Sequence, residues 1–208
     1  MKVNRWLFLL IIISGCSKNN SLLIDFDAEL FLESQINFIK ELDNINLNSI
    51  QNIKEVLVKQ DWIEGFYLKK ERLGNTRLFI NTRNPLLNWE NTYFIDKNLN
   101  MFSSTGKFID LPTISAPFDK LSEWVVWHEL FLDASLKNEH FLEEIRYVYG
   151  AGWEVTTNLS VIKMGNIINE DIYQKYQEAL IYIFRMKLNP SIIDLRNMNG
   201  ITLSYAKK

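Results

Sequence analysis

The spacing of apolar residues predicts a compact α+β unit in the first part of the chain. Two segments have apolar positions at helical spacing, and the segments around them are short apolar or alternating runs typical of strands. The order strand, helix, helix, strand, strand places two helices on one face of a small sheet. The predicted elements are a strand at 21–26, helices at about 28–42 and 47–59, and hairpin strands at 65–70 and 76–82 around the turn Leu73-Gly74-Asn75.

The pattern beyond Pro85 changes to one dominated by strands. Alternation is clean from Trp153 to Thr156, which is typical of a strand with one buried face. Helical spacing returns at about 119–135 and 170–187, where two helices interrupt the strands. The predicted strands are 92–96, 141–149, 153–157, 159–164 and 201–205. A β-meander fits this order, so we expect a C-terminal antiparallel β domain with two helices at 85–208.

The N-terminus has the pattern of a targeting segment. Lys2 and Arg5 precede an uninterrupted apolar run at 6–13, which Ser14, Gly15 and Cys16 close. The run is shorter than the about 20 apolar residues that cross a bilayer as a helix. It therefore fits a signal peptide, a bacterial lipobox with an acylated Cys16, or a short uncleaved anchor with a cytoplasmic N-terminus. In each case the residues after about 20 lie outside the cytoplasm.

Composition and charge exclude several classes of partner. The 208 residues are 47% hydrophobic and 23% charged, as expected of a folded chain, and the net charge is −2. The longest basic cluster is Lys69-Lys70 with Arg72 nearby, so we do not expect nucleic acid as a partner. Cys16 is the only cysteine, so the folded part can hold neither an intramolecular disulfide nor a thiolate metal site.

The candidate catalytic residues do not form a pattern that supports catalysis. His128-Glu129 lacks the second histidine that a zinc-protease helix carries, and His128 lies on an apolar helix stripe, where a hydrogen-bonded core histidine is the simpler interpretation. Glu143 and Glu144 are adjacent on a predicted strand and point to opposite faces. Neither a Gly-x-Ser-x-Gly elbow nor a Gly-rich phosphate loop occurs in the sequence. We therefore expect a protein that is not an enzyme and binds no cofactor, metal or small-molecule substrate.

A series of short landmarks runs from about residue 22 to the C-terminus. The landmarks are Asp61-Trp62-Ile63, Lys69-Lys70, Pro85 with Trp89, Phe94-Ile95-Asp96, Leu111-Pro112-Thr113-Ile114-Ser115-Ala116-Pro117, Trp153, Met164-Gly165, Asp194-Leu195-Arg196 and Asn199-Gly200. In order and spacing they resemble the FtsQ/DivIB family of bacterial cell-division proteins.

This resemblance implies three regions and a location. They are a membrane anchor at 1–20, a POTRA-like domain at 21–84 and the β domain at 85–208. The protein would cross the inner membrane once and place the residues after about 20 in the periplasm at the division septum. As a scaffold without catalytic activity it would recruit FtsB and FtsL, and so help control septal peptidoglycan synthesis by FtsW and FtsI.

The resemblance also implies where the partner binds. In the family a strand from FtsB adds to the edge of the last strand, and nothing obvious follows Tyr205 here to cover that edge. Asn197 stands where many members carry tyrosine. Asp194 and Arg196 could equally form a buried ion pair that fixes the start of the last strand. The residues on the partner-binding pattern are Arg196, Asn197, Asn199, Gly200, Ile201, Leu203 and Tyr205.

Several positions depart from the family pattern and keep an alternative open. Gly74 stands where the hairpin usually has proline, Thr82-Arg83 lacks the usual glutamate, and Leu99 replaces a glycine after Asp96. The alternative is an envelope lipoprotein that is acylated at Cys16 and acts as an assembly accessory or chaperone. A carbohydrate-active enzyme would need paired carboxylates facing one cleft, which the sequence does not offer.

Overall fold

The computed structural model describes residues 11–12, 22–28, 32–43, 50–70, 76–103 and 111–205. The chain is a mixed α+β protein that divides into two units. The first comprises residues 1–84 and 101–108, and the second comprises residues 85–100 and 109–208. In chain order the elements are β1 (Ile11–Ile12), β2 (Leu22–Phe26), α1 (Leu32–Asp43), α2 (Ile50–Val58), β3 (Ile63–Lys70), β4 (Thr76–Thr82), β5 (Leu87–Trp89), β6 (Tyr93–Ile95), β7 (Met101–Phe102), β8 (Thr113–Ser115), α3 (Phe118–Lys137), β9 (Leu142–Val148), β10 (Gly152–Thr157), β11 (Val161–Gly165), α4 (Glu170–Met186), β12 (Ile192–Asp194) and β13 (Thr202–Ser204).

The first unit contains a sheet with the strand order β1-β2-β4-β3. β2 runs parallel to β4, and β3 pairs with β4 as an antiparallel hairpin. The helices α1 and α2 connect β2 to the hairpin, so the elements from β2 to β4 follow the order expected from the apolar spacing. Apolar side chains of helices and sheet are buried together, and they include Leu22, Ile24, Phe38, Leu42, Ile53, Leu57, Leu78 and Ile80.

The sheet of the second unit is mixed, and the prediction of an antiparallel meander is wrong. Its strands follow the order β13-β12-β11-β10-β9-β8-β5-β6. β8 and β9 are parallel, as are β11 and β12, and β5 pairs in parallel with β8. Parallel neighbours need a crossover connection, and α3 and α4 supply it for the first two pairs. The strands β5, β8 and β12, each of three residues, were not predicted from the sequence.

An aromatic cluster forms the centre of the core of the second unit. The centroid of the Trp124 ring lies 5.3 Å from that of Phe131 and 5.6 Å from that of Trp153. The contact with Trp153 joins α3 to β10. Phe131 in turn lies 4.8 Å from Tyr176 on α4. These four side chains are fully buried, so the two crossover helices and the sheet share one core.

The expected membrane anchor lies almost wholly outside the described residues. Of residues 1–20 the structure describes only Ile11 and Ile12, as β1, and Cys16 is outside it. Within the described ranges, none of the helices has the length and apolar character needed to span a bilayer. The hairpin turn at 73–75 also falls outside the described residues.

Candidate functional site

The last strand, β13, stands at the end of the sheet of the second unit. It pairs with β12 in antiparallel register, with Ile193 opposite Leu203 and Asp194 opposite Thr202. No strand in the described part of the chain pairs with the other side of β13. Alternate N–H and C=O groups of an edge strand point away from the sheet, so β13 offers backbone donors and acceptors to another strand.

The side chains of β13 alternate between the core and solvent. Ile201 and Leu203 are partly buried and pack against the core, whereas Thr202 and Ser204 are exposed. Tyr205 follows with 53% of its surface exposed. This alternation fixes which way the strand faces, because slipping its register by one residue would turn Leu203 into solvent.

Asp194 and Arg196 form a close ion pair at the turn before β13. Arg196 Nε and Nη2 donate to the two carboxylate oxygens at 2.8 and 2.6 Å. These hydrogen bonds hold the pKa of Asp194 below its ordinary value. The pair that the sequence suggested is therefore present, but it is not buried, because 42% of the Arg196 side chain and 22% of the Asp194 side chain are exposed.

The stem of Arg196 lies across Gly165 at the end of β11. A Cβ atom at position 165 would lie 3.4 Å from Arg196 Cγ, and Gly165 has a φ of +87°. The preceding residue, Leu195, is fully buried, and its amide donates to the Lys163 carbonyl at 2.9 Å. The chain therefore leaves β12 on a fixed path along the end of β11.

Asn197 is held from two sides. Its carbonyl oxygen accepts a hydrogen bond from Lys175 Nζ on α4 at 3.1 Å. Its side-chain amide donates to Thr202 Oγ1 at 2.8 Å, across the turn that leads into β13. Asn197 therefore shapes the turn with both its backbone and its side chain.

Charges on the outer face of the sheet alternate in sign toward β13. Glu154 lies 3.5 Å from Arg146 on β9 and 3.9 Å from Lys163 on β11. Lys163 is opposite Asp194 in the parallel register of β11 and β12. Because each charge in this row has an opposite neighbour, the face does not carry a strong field of either sign.

The structure brings some of the expected site residues together and leaves others exposed. Arg196 and Asn197 make the turn contacts, and Ile201 and Leu203 anchor β13 to the core. Asn199 and Gly200 are exposed at the turn. Sequence reasoning missed Lys175 and Thr202. The only signal for Lys175 was its place beside the apolar stripe of its helix.

Both histidines are core residues. His128 is 1% exposed, and Trp124 Nε1 donates to His128 Nδ1 at 3.1 Å, which confirms the interpretation as a hydrogen-bonded core histidine. Burial lowers the pKa of His128 to about 4. His140 is also buried, with Nδ1 at 3.2 Å from Thr157 Oγ1. Among the residues that the structure describes, no cluster of His, Cys, Asp and Glu could hold a metal ion.

The chain matches no protein-family model and no curated protein sequence.

Proposed function

We propose that this protein is a membrane-tethered scaffold of the bacterial division septum that binds an FtsB-type partner, together with FtsL, by strand addition to β13. In this role it catalyses nothing. It acts on septal peptidoglycan synthesis by FtsW and FtsI only through the partners that it recruits. The observation that carries the proposal is the position of β13 at the edge of the sheet.

The element order of both units supports the proposal. The first unit has the strand, helix, helix, strand, strand order of a POTRA domain from β2 to β4. The second unit ends in β12, a turn and β13, with Asp194, Leu195 and Arg196 at the end of β12 and Asn199-Gly200 in the turn, as in the FtsQ/DivIB pattern.

The chemistry of β13 supports recognition through the backbone. The strand has three residues, two of which face solvent with small hydroxyl side chains. Such side chains leave the backbone of an edge accessible, because they neither cover it nor repel a neighbouring strand by charge. Side-chain specificity would come from the flanks of the edge, where Arg196 and Tyr205 are exposed.

Proline and alanine variants of adjacent β13 residues test this proposal. Adjacent residues in a strand direct their N–H groups to opposite sides, so one of Thr202→Pro and Leu203→Pro removes a donor that faces the partner. We expect the proline variant that removes this outward-facing donor, made in the full-length protein, to lose binding to the FtsB–FtsL pair of the same genome. Pull-down and surface plasmon resonance measure this binding. The control variant Ser204→Ala keeps every backbone donor of β13 and removes only an exposed hydroxyl group, so it should bind as the wild type does.

Two results would contradict the proposal. Normal binding by both proline variants would rule out strand addition at β13. In cells, a fluorescent fusion of the wild-type chain should gather at midcell, and an even distribution around the envelope would contradict the role in division.

The N-terminal sequence favours a second candidate, an envelope lipoprotein that acts as an assembly accessory. The pattern Ile13-Ser14-Gly15-Cys16 and the short apolar run before it support this alternative. Metabolic labelling with palmitate separates the two candidates. Label in the wild type that is absent from Cys16→Ala would favour the lipoprotein, and no label in either would favour an uncleaved anchor.

A further inference from the structure

Lys175 lies at the border of the buried face of α4. The helix begins after Asn169, whose side chain accepts a hydrogen bond from the Ile172 amide at 3.0 Å. Ile172 and Tyr176 are buried, and Lys175, three residues after Ile172, lies beside Ile172 at the edge of this buried stripe. Only 15% of the Lys175 side chain is exposed, so its long stem lies against the protein.

The ammonium group of Lys175 joins α4 to the turn before β13. Nζ lies 2.8 Å from Asp171 Oδ2 and 3.1 Å from the carbonyl oxygen of Asn197. Asp171 precedes Lys175 by one helical turn, and its side chain is 67% exposed, so this ion pair by itself contributes little to stability. The bond to Asn197 is different, because it fixes the backbone of a loop 22 residues further along the chain.

The contact with Asn197 continues into β13. The side-chain amide of Asn197 donates to Thr202 Oγ1, so the turn is tied to α4 at its start and to β13 at its end. β13 itself pairs with β12 over three residues only. A strand this short depends on its flanking turn to stay extended, and a binding edge that is already ordered loses less conformational entropy when a partner adds to it.

We infer that Lys175 is a positioning residue for the partner-binding edge: its hydrogen bond to the Asn197 carbonyl holds the turn that keeps β13 ready to accept a strand. The partner does not have to touch Lys175 for this effect. This inference rests on the proposed binding at β13.

Three variants of the full-length chain test the role of Lys175. Lys175→Met keeps the stem and removes the donors, Lys175→Arg keeps a cationic donor, and Lys137→Met is the matched control. Lys137 also pairs with an aspartate four residues earlier, Asp133, but has no contact with the turn. Each variant is measured for its affinity for the FtsB–FtsL pair, for its melting temperature, and for hydrogen exchange of the 202–204 amides.

We expect Lys175→Met to weaken binding about tenfold, as loss of one charged hydrogen bond that orders the site would do. The amides of 202–204 should exchange faster, while the melting temperature stays equal to that of Lys137→Met. Lys175→Arg should restore most of the affinity, a result that a merely stabilising residue would not give.

Two outcomes would overturn the inference. One is normal binding by Lys175→Met when a separate proline variant in β13, measured in the same assay, has lost binding. The other is a fall in melting temperature with Lys175→Met that accounts for the lost affinity and that Lys175→Arg does not reverse. Normal binding by the proline variants as well would instead mean that the proposed site at β13 is wrong.

Discussion

Gly152 lies directly against Gly165, where β10 begins and β11 ends. A methyl group at position 152 would overlap the carbonyl group of Gly165 and the amide nitrogen of Asn166. Trp153 is opposite Gly165 in the register, and the pairing of β10 with β11 shifts between Trp153 and Glu154. This close approach fixes the end of β11, across which the stem of Arg196 lies.

Gly152→Ala should therefore destabilise the second unit by at least about 3 kcal/mol, since it combines a steric overlap with a φ of +87°. Gly150→Ala is the matched control, because its φ of +84° is nearly the same and no atom lies within 4 Å of the added group. The control should lose only about 1 kcal/mol. Urea unfolding measures both, and equal losses would mean that the contact with Gly165 does not matter.

The free energy of unfolding should fall as the pH is lowered through the range between the unfolded-state and folded-state pKa values of His128. The folded-state pKa is lowered from 6.5 to about 4, so the neutral form is required in the fold, and the unfolded chain takes up a proton first. The contribution of His128 to the free energy of unfolding is fully present above pH 6.5. It falls by about 1.4 kcal/mol per pH unit as the pH falls toward 4.

The variant His128→Gln isolates this effect, because glutamine can still accept the Trp124 hydrogen bond and does not titrate. The difference in unfolding free energy between wild type and variant should shrink from pH 7 to pH 4.5. A difference that stays constant over this range would show that His128 does not titrate on unfolding.

The buried hydrogen bond between Ser135 and Tyr176 should behave as a coupled pair. Ser135 Oγ and the Tyr176 hydroxyl bond to each other inside the core, where α3 meets α4. Ser135→Ala or Tyr176→Phe alone leaves one buried polar group without this partner and should cost about 1–3 kcal/mol. The double variant should cost much less than the sum of the two. Additive losses in a double-mutant cycle would contradict the coupling.

A glycine at the end of α4 should stabilise the protein. Lys187 is the C-cap with a φ of 53°, a left-handed conformation that favours glycine, and the Leu188 amide closes the helix on the Ile183 carbonyl at 3.0 Å. Lys187→Gly should raise the unfolding free energy by about 0.5–1 kcal/mol. Arg185→Gly, inside the same helix, should lower it by about 1 kcal/mol. Thermal unfolding measures both signs, and a loss with Lys187→Gly would refute the argument.

Local sequence patterns predicted the helices and strands themselves better than they predicted which elements pack or pair with one another. The four helices of the described residues appear where apolar residues recur at helical spacing, and α4 at Glu170–Met186 differs from its expected range at one end by a single residue. The described part of α1 begins at Leu32, and residues 29–31, over which the helix was expected to start, lie outside the described ranges. The predicted site was limited in the same way, because Arg196 and Asn197 are visible as a motif but the contact with Lys175 is not.

The sequence by itself determined that the chain is a mixed α+β protein with paired helices and a terminal strand, because helix and strand periods are properties of neighbouring residues. The tertiary structure decided that the second sheet is mixed, that Gly152 meets Gly165, and that Lys175 holds Asn197. These relationships join residues far apart in the chain. They depend on which surfaces pack together, and hydrophobic spacing carries no information about that choice.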